Sequence, residues 1–237
     1  MINPGQVIPA GKVKVFQDTC APVTTDTLLL ASSLNTSQGS SIVDLGCGSG
    51  GASLYSSAFN PGCRWIGIDI RYDPLKLMMF SRNHHNPQLK MTAVCCSIES
   101  VPFAFSGSIA DAVIMNPPYR ASGSARQSPQ RDRNISRSGS GLLVYQFIRS
   151  AAHLLVQGGE LLIVNRPAML PEILLGCRAF GVNIVEIQPI GSLGKPAEHI
   201  ILNGRKGSGE ELSILPQVEA GDYLRHPVPD ISDLDQR

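Results

Sequence analysis

The segment Ile114-Met-Asn-Pro-Pro-Tyr119 ends an apolar run with an amide side chain, two prolines and an aromatic ring. These residue types suit chemistry on an NH2 group conjugated to a ring or a carbonyl, whose nitrogen is a poor nucleophile because its lone pair is delocalised. Two acceptors, the Asn116 side-chain oxygen and the Pro117 carbonyl, can hold both N–H groups. They aim the lone pair at an electrophile and stabilise the positive charge that develops on nitrogen. Pro117 and Pro118 stiffen the turn and remove donors that would compete for those acceptors. Tyr119 offers a stacking face for a flat substrate, worth about 1–3 kcal/mol per base. Taken alone, the same residues also read as a Pro-Pro loop carrying a surface tyrosine.

A second constellation is Val43-Asp-Leu-Gly-Cys-Gly-Ser-Gly50, continuing to Gly51. Gly46, Gly48 and Gly50 follow an apolar run that reads as a buried strand. Glycine there permits positive φ and lets backbone approach a ligand closely. Gly46, Gly48 and Gly51 also satisfy the dinucleotide pattern G-x-G-x-x-G, a weak signal by itself. Asp69 ends the next apolar run, about 20 residues on, where a carboxylate can accept both ribose hydroxyls of either cofactor class. Asp44 separates the classes. An acid beside the glycines repels a pyrophosphate and suits a ligand with a sulfonium and an α-amino group, which favours S-adenosylmethionine over a dinucleotide.

The elements that must position these residues alternate between strand and helix patterns, predicting a parallel sheet covered on both faces. Strands are expected at Lys12–Phe16, Ser41–Leu45, Arg64–Ile70, Met91–Cys96, Ala110–Met115, Glu160–Val164, Asn183–Ile187 and Ile200–Leu202. Helices are expected near Thr27–Leu34 (capped by Thr25-Asp26), Ala52–Phe59, Pro74–Asn83, Leu142–Val156 and Leu170–Phe180. Ser-, Arg- and Gly-rich composition marks 120–141 as a long flexible loop, and loops of that length inside a domain are usually functional or disordered. Residues 1–40 read as a strand and helix extension, 226–237 as a frayed tail, and 1–237 as a single domain.

Composition bounds the function classes. The chain has 237 residues, 43% hydrophobic and 16% charged, with a formal net charge of +1. That balance offers no global attraction to nucleic acid, so any such binding falls to local basic clusters. Arg120, Arg126, Arg131, Arg133 and Arg137 form one, opposed only by Asp132. With serines and glycines between them, these arginines could follow a phosphate backbone; the alternative is a solvated loop with no partner. Lys195, Arg205 and Lys206 could add a second basic edge. The six cysteines, at 20, 47, 63, 95, 96 and 177, form neither a Cys-x-x-Cys pair nor a zinc-like cluster and read as reduced thiols. The five histidines are scattered, so no metal site is expected. The N-terminus lacks a signal-peptide pattern, and no apolar run approaches the roughly 18–20 residues that span a membrane. The expectation is a cytoplasmic protein, with a monomer favoured.

The glycine segment together with Asn116-Pro-Pro-Tyr119 resembles class I, Rossmann-like amino methyltransferases. More narrowly, the chain resembles the bacterial valine-tRNA adenine-N6 methyltransferases, which modify the adenosine just 3′ of the anticodon. The likeness runs from about Gly11 to Gly209 and includes Thr25-Asp-Thr-Leu-Leu-Leu-Ala31, Ser128-Pro129, Arg166 through Leu170-Pro-Glu172, Gly194-Lys-Pro-Ala197 and Arg205-Lys-Gly207. It implies a mostly parallel seven-stranded sheet with helices on both faces, S-adenosylmethionine as methyl donor, and a tRNA adenine as acceptor. It places Asp44, Gly46, Gly48, Gly50 and Asp69 around the cofactor, with Asp26 and Thr27 over its methionine end. It places Asn116, Pro117 and Tyr119 on the target base. Pro118 and the arginines of the loop are expected to face RNA from their position around that segment.

Three departures stand out. Cys96-Ser97 replaces the acid that usually binds the cofactor adenine, leaving Ser97 as the acceptor. An Arg-His-Glu element is missing near Ser136 to Ser140, and the fifth strand ends Asn165-Arg166 in place of His-Arg. A protein glutamine-N5 methyltransferase acting on release factors, a DNA adenine methyltransferase, and an RNA- or cofactor-binding protein without catalysis are the alternatives. The first usually carries an extra helical domain before the core, and only about 40 residues precede the first core strand here.

Overall fold

A computed structural model describes residues 6–10, 13–17, 22–118 and 132–224. The chain opens with a hairpin, β1 (Gln6–Ala10) antiparallel to β2 (Val13–Gln17). Helix α1 (Thr25–Ser33) follows. Strands and helices then alternate: β3 (Ser41–Leu45), α2 (Gly51–Ser57), β4 (Arg64–Asp69), α3 (Tyr72–His85), β5 (Met91–Cys95), the short α4 (Val101–Ala104) and β6 (Ala110–Met115). Then come α5 (Asp132–Leu154), β7 (Leu155–Asn165), α6 (Leu170–Ala179), β8 (Val182–Ile190), β9 (His199–Lys206), the two-residue β10 (Ser213–Ile214) and α7 (Ala220–Tyr223).

The main sheet has eight strands in the order β10-β8-β9-β7-β6-β3-β4-β5. All neighbours pair in parallel except β9, which runs antiparallel to both β7 and β8. The chain builds outward from β3 through β4 to β5, then returns to the other side of β3 with β6. That reversal opens a crevice beyond the carboxyl ends of β3 and β6, where open α/β sheets bind ligands.

Because β3, β6 and β7 are central, side chains on both of their faces are buried at Ile42–Val43, Ala112–Met115 and Leu161–Val164, and each of these stretches reads as an apolar run. One face carries α1, α2 and α3 over a core that includes Leu28, Leu54, Trp65 and Met78. The opposite face carries α4, α5 and α6 over Val113, Ile148, Ile163 and Ile173. The hairpin is tied to α3: Phe16 packs edge-on against Phe80 with ring centroids 4.8 Å apart, and its N–H donates to Ser81 Oγ at 2.9 Å. The Val23 N–H donates to Gln17 Oε1, linking the end of the hairpin to the start of α1.

The expected α/β architecture is present. The short helices α4 and α7 were not expected, α5 gives way to β7 at Leu155, and Thr24 caps α1 so that Thr25 and Asp26 fall inside the helix. The sheet gains β10 as an eighth strand, too short to carry a periodic pattern. Strand β1 was not expected; it pairs antiparallel with β2 along its whole length, Pro9 opposite Lys14. Helix α5 begins at Asp132, so residues 132–141, which read as loop from their Ser, Gly and Arg content, are helical. Intrinsic propensity is a weak prior against tertiary context, and the later turns of α5 bury Val144, Phe147 and Ile148 in the core. The tail expected at 226–237 lies outside the described residues.

Candidate active site

The turn after β3 is held from below by β4. The N–H groups of Gly46 and Cys47 both donate to the Ile68 carbonyl, at 2.7 and 3.1 Å. Gly46 has φ of +74° and Gly50, at the N-cap of α2, has φ of +78°. Space enforces the residue type as well. A Cβ on Gly50 would stand 2.4 Å from Met78 Cγ, and one on Gly46 would stand 3.0 Å from the Phe147 ring.

Two acids sit under this turn. Asp44, on β3, is buried and accepts a hydrogen bond from Ser53 Oγ at 2.5 Å. Burial pushes its carboxyl up to about 7; the Ser53 hydrogen bonds work against that rise, and the neighbouring Asp69 charge adds to it. Asp69, at the end of β4, is also buried. Its Oδ2 accepts the Gly48 N–H at 2.9 Å, and its Oδ1 accepts both the backbone N–H and Nε of Arg71, at 2.8 and 3.2 Å. Cys47, between the glycines, is held well above the usual thiol range by burial and by the two acids. It stays a neutral thiol and takes no part as a nucleophile.

Two adjoining cavities open at the crevice. The smaller, about 300 Å³, is bounded by the glycine turn and Asp44 on one side and by Val23, Thr24 and Thr27 at the start of α1 on the other. The larger, about 550 Å³, has Asp69, Ser97 and Glu99 among its polar lining and Ile70, Ile98 and Phe147 among its apolar lining. Gly46, Arg71, Asn116 and Pro118 border both. Asn116 therefore stands where the two cavities meet, at the carboxyl end of β6. Pro117 is buried and Pro118 exposed at the mouth.

Of the residues singled out by sequence, Thr27, Asp44, Gly46, Gly48, Asp69, Ser97, Asn116 and Pro118 converge on these cavities. Gly50 shapes the turn from behind, and Pro117 lines neither space. Asp26 lines neither as well: it is buried in α1, and its Oδ1 meets Nδ1 of the buried His199 at the start of β9. Ser97 Oγ shares a hydrogen bond with Ser100 Oγ at 2.8 Å. Tyr119, Arg120, Arg126 and Arg131 lie outside the described residues, as do the side chains of Arg133 and Arg137 on α5. Sequence reasoning passed over Arg71 and Glu99. Glu99 lines the larger cavity and accepts Gln146 Nε2 on α5 at 3.0 Å. An acid two residues beyond Ser97 was the available signal.

The donor set fits a nucleoside that carries positive charge. Two buried carboxylates face the crevice, one beside each cavity, and apolar side chains line the larger one. Among the described residues no group of three or more His, Cys, Asp or Glu could hold a metal ion, the five cysteines are free, and no helix is long and apolar enough to cross a membrane.

Comparison with known proteins agrees with this geometry. The chain is similar to a predicted O-methyltransferase from Agrobacterium tumefaciens (TM-score 0.66, 22% identity, 88% of this chain and 93% of that one). It is similar to TrmN from Thermus thermophilus (TM-score 0.57, 20% identity), covering 83% of this chain and only 50% of that longer one. It is also similar to an S-adenosylmethionine-dependent methyltransferase from Methanosarcina mazei (TM-score 0.53, 15% identity, 75% and 95% covered). No curated protein matches the sequence. The model of the methyltransferase small domain matches residues 15–182, a span holding the glycine turn, both acids and the Asn-Pro-Pro corner. The chain therefore belongs to the methyltransferase small domain family, with the class I methyltransferase fold and S-adenosylmethionine as its methyl donor.

Proposed function

We propose that this methyltransferase acts on the exocyclic N6 of an adenine in tRNA, at the position just 3′ of the anticodon. The observation that carries the reading is the place of Asn116, at the junction of the two cavities and followed by two prolines. Asp44 faces the smaller cavity, where it complements the cofactor's cationic methionine end, with Thr27 across from it. Asp26 acts there indirectly, by fixing the start of α1 through His199. Asp69 takes the ribose hydroxyls. Ser97 and Glu99 serve the adenine edge, Glu99 replacing the acid absent at 96–97, and Ile70 and Phe147 cover the ring.

S-adenosylmethionine supplies, when bound, an electrophilic methyl carbon on a sulfonium. The remaining work falls to this chain. The Asn116 oxygen and the Pro117 carbonyl accept the two N–H groups of the target, so its lone pair points at the junction. They also stabilise the charge that develops on nitrogen. Tyr119 stacks on the extruded base, and the arginines after it, Arg120 to Arg137, meet the phosphates. The Asn116–Tyr119 segment suits both substrates; the resemblance outside it, at Thr25–Ala31, Arg166–Glu172 and Gly194–Ala197, to the tRNA adenine-N6 enzymes supports adenine over an amide.

Labelled methyl transfer to total tRNA, DNA and protein tests this reading, and label is expected in tRNA. Asn116→Ala should lower turnover on the order of 100- to 1000-fold, since it removes a preorganised acceptor used mainly in the transition state. Its affinity for S-adenosylhomocysteine should hold. Label entering a protein glutamine, with none in tRNA, would retire the RNA reading.

A further inference from the structure

A carboxylate offers about four lone-pair positions to donors. Asp69 already spends three of them on the Gly48 N–H, the Arg71 N–H and Arg71 Nε. The two ribose hydroxyls assigned to Asp69 above raise the demand to five, so one donor must leave. The two backbone donors are fixed, one by the glycine turn and the other at the N-cap of α3. The guanidinium is different: it hangs on a flexible side chain, 45% exposed.

Charge points the same way. Arg71 is the one cation, among the described residues, lining either cavity, and it pairs with Asp69, whose charge is felt at the neighbouring Asp44. A cofactor bearing its own positive charge takes over that role. Arg71 also borders both cavities, as Asn116 and Pro118 do, so a guanidinium released from Asp69 stays at the mouth where the substrate enters.

We propose that Arg71 and the cofactor ribose compete for Asp69, so that cofactor binding moves the Arg71 guanidinium off Asp69 and onto a substrate phosphate at the mouth of the site. The proposal rests on the nucleic-acid reading above. It makes Arg71 a substrate-binding residue that is available only once the methyl donor is in place. A planar guanidinium suits this task because it can hold a phosphate with two parallel hydrogen bonds.

Two measurements on the full chain test it. The first needs no substrate. Arg71→Ala should bind S-adenosylhomocysteine more tightly than wild type, on the order of 3- to 10-fold, because a competitor has gone. A derivative lacking both ribose hydroxyls should show no such gain. The second measures binding of a synthetic valine-tRNA anticodon stem-loop with and without S-adenosylhomocysteine. Wild type should bind the RNA about 10-fold tighter with the cofactor product present, and the RNA should tighten cofactor binding by the same factor. In Arg71→Ala both factors should fall to about one. Coupling that survives in Arg71→Ala, or weaker S-adenosylhomocysteine binding in that variant, overturns the proposal. If no RNA binds under any condition while the cofactor gain is seen, the substrate reading and the phosphate role fail, and the competition at Asp69 stands.

Discussion

Asp44 faces the smaller cavity from the carboxyl end of β3. Its carboxyl is buried and accepts a hydrogen bond from Ser53 Oγ. Burial raises its pKa from 3.8 to about 7. Between those two values the native protein keeps a proton that the unfolded chain has already lost. The fold therefore grows less stable, through this group, as pH rises across that window. Asp44→Asn removes the effect. Without ligand its melting temperature should gain on wild type as pH goes from about 4 to 8, followed by thermal denaturation in matched buffers. Binding should move the other way: Asp44→Asn should weaken S-adenosylmethionine, and wild-type affinity should fall as pH drops below about 7, where the acid is neutral. Calorimetric titration across that range checks the sign, and a pH-independent affinity would separate Asp44 from the cofactor's charge.

At the scale of elements, the glycine turn between β3 and α2 is where backbone conformation and packing make the same demand. Gly50 combines a left-handed backbone with a Met78 side chain that leaves no space for a Cβ. Gly50→Ala should lose about 2–4 kcal/mol of stability by denaturant titration, roughly half from the positive φ and half from the clash. Pairing it with Met78→Ala opens the space but leaves the backbone cost, and Met78→Ala adds a cavity of its own. The double variant should therefore fail to regain wild-type stability. A neutral Gly50→Ala would mean that the turn can adopt another conformation. Helix α1 plays the complementary part. Thr24 caps it through a reciprocal contact with Thr27, and its buried Asp26 reaches His199 on β9. The wall of the smaller cavity is thereby fastened to the far side of the sheet.

For the molecule as a whole, a net charge of +1 leaves little long-range field to gather a polyanion. Any grip on RNA must come from where the basic residues sit. The arginines from 120 to 137 follow the Asn-Pro-Pro corner directly in the chain, and Arg71 borders the same mouth. Changing Arg126, Arg131 and Arg133 together to Ala should weaken RNA binding. It should also flatten the dependence of log K on log salt by roughly 0.7 to 0.9 for each phosphate that is no longer neutralised. Affinity for S-adenosylhomocysteine should stay unchanged if the glycine turn, Asp44 and Asp69 hold the cofactor. An unchanged salt slope, read by fluorescence anisotropy, would make the segment a solvated connection that does not touch RNA.

Local pattern was enough to read the strand and helix alternation, the glycine turn, the acids at 44 and 69 and the corner at Asn116. Each is a property of neighbours in sequence: apolar period, a residue that tolerates positive φ, and a polar group at the end of a buried run. What sequence could not supply was partnership between distant residues. Asp26 read as a cofactor contact until the fold brought His199, from the opposite end of the chain, against it. Arg71 belongs to no motif, and only the crossing of the chain from β5 back to β6 brings Asn116 to the same cavities. Glu99 lines the larger cavity and meets Gln146 on α5, a partner distant in sequence. The start of α5 and the short strand β10 were hidden for a related reason. A helix start rich in Ser and Gly, or a strand of two residues paired only along β8, carries too little intrinsic preference to be read alone.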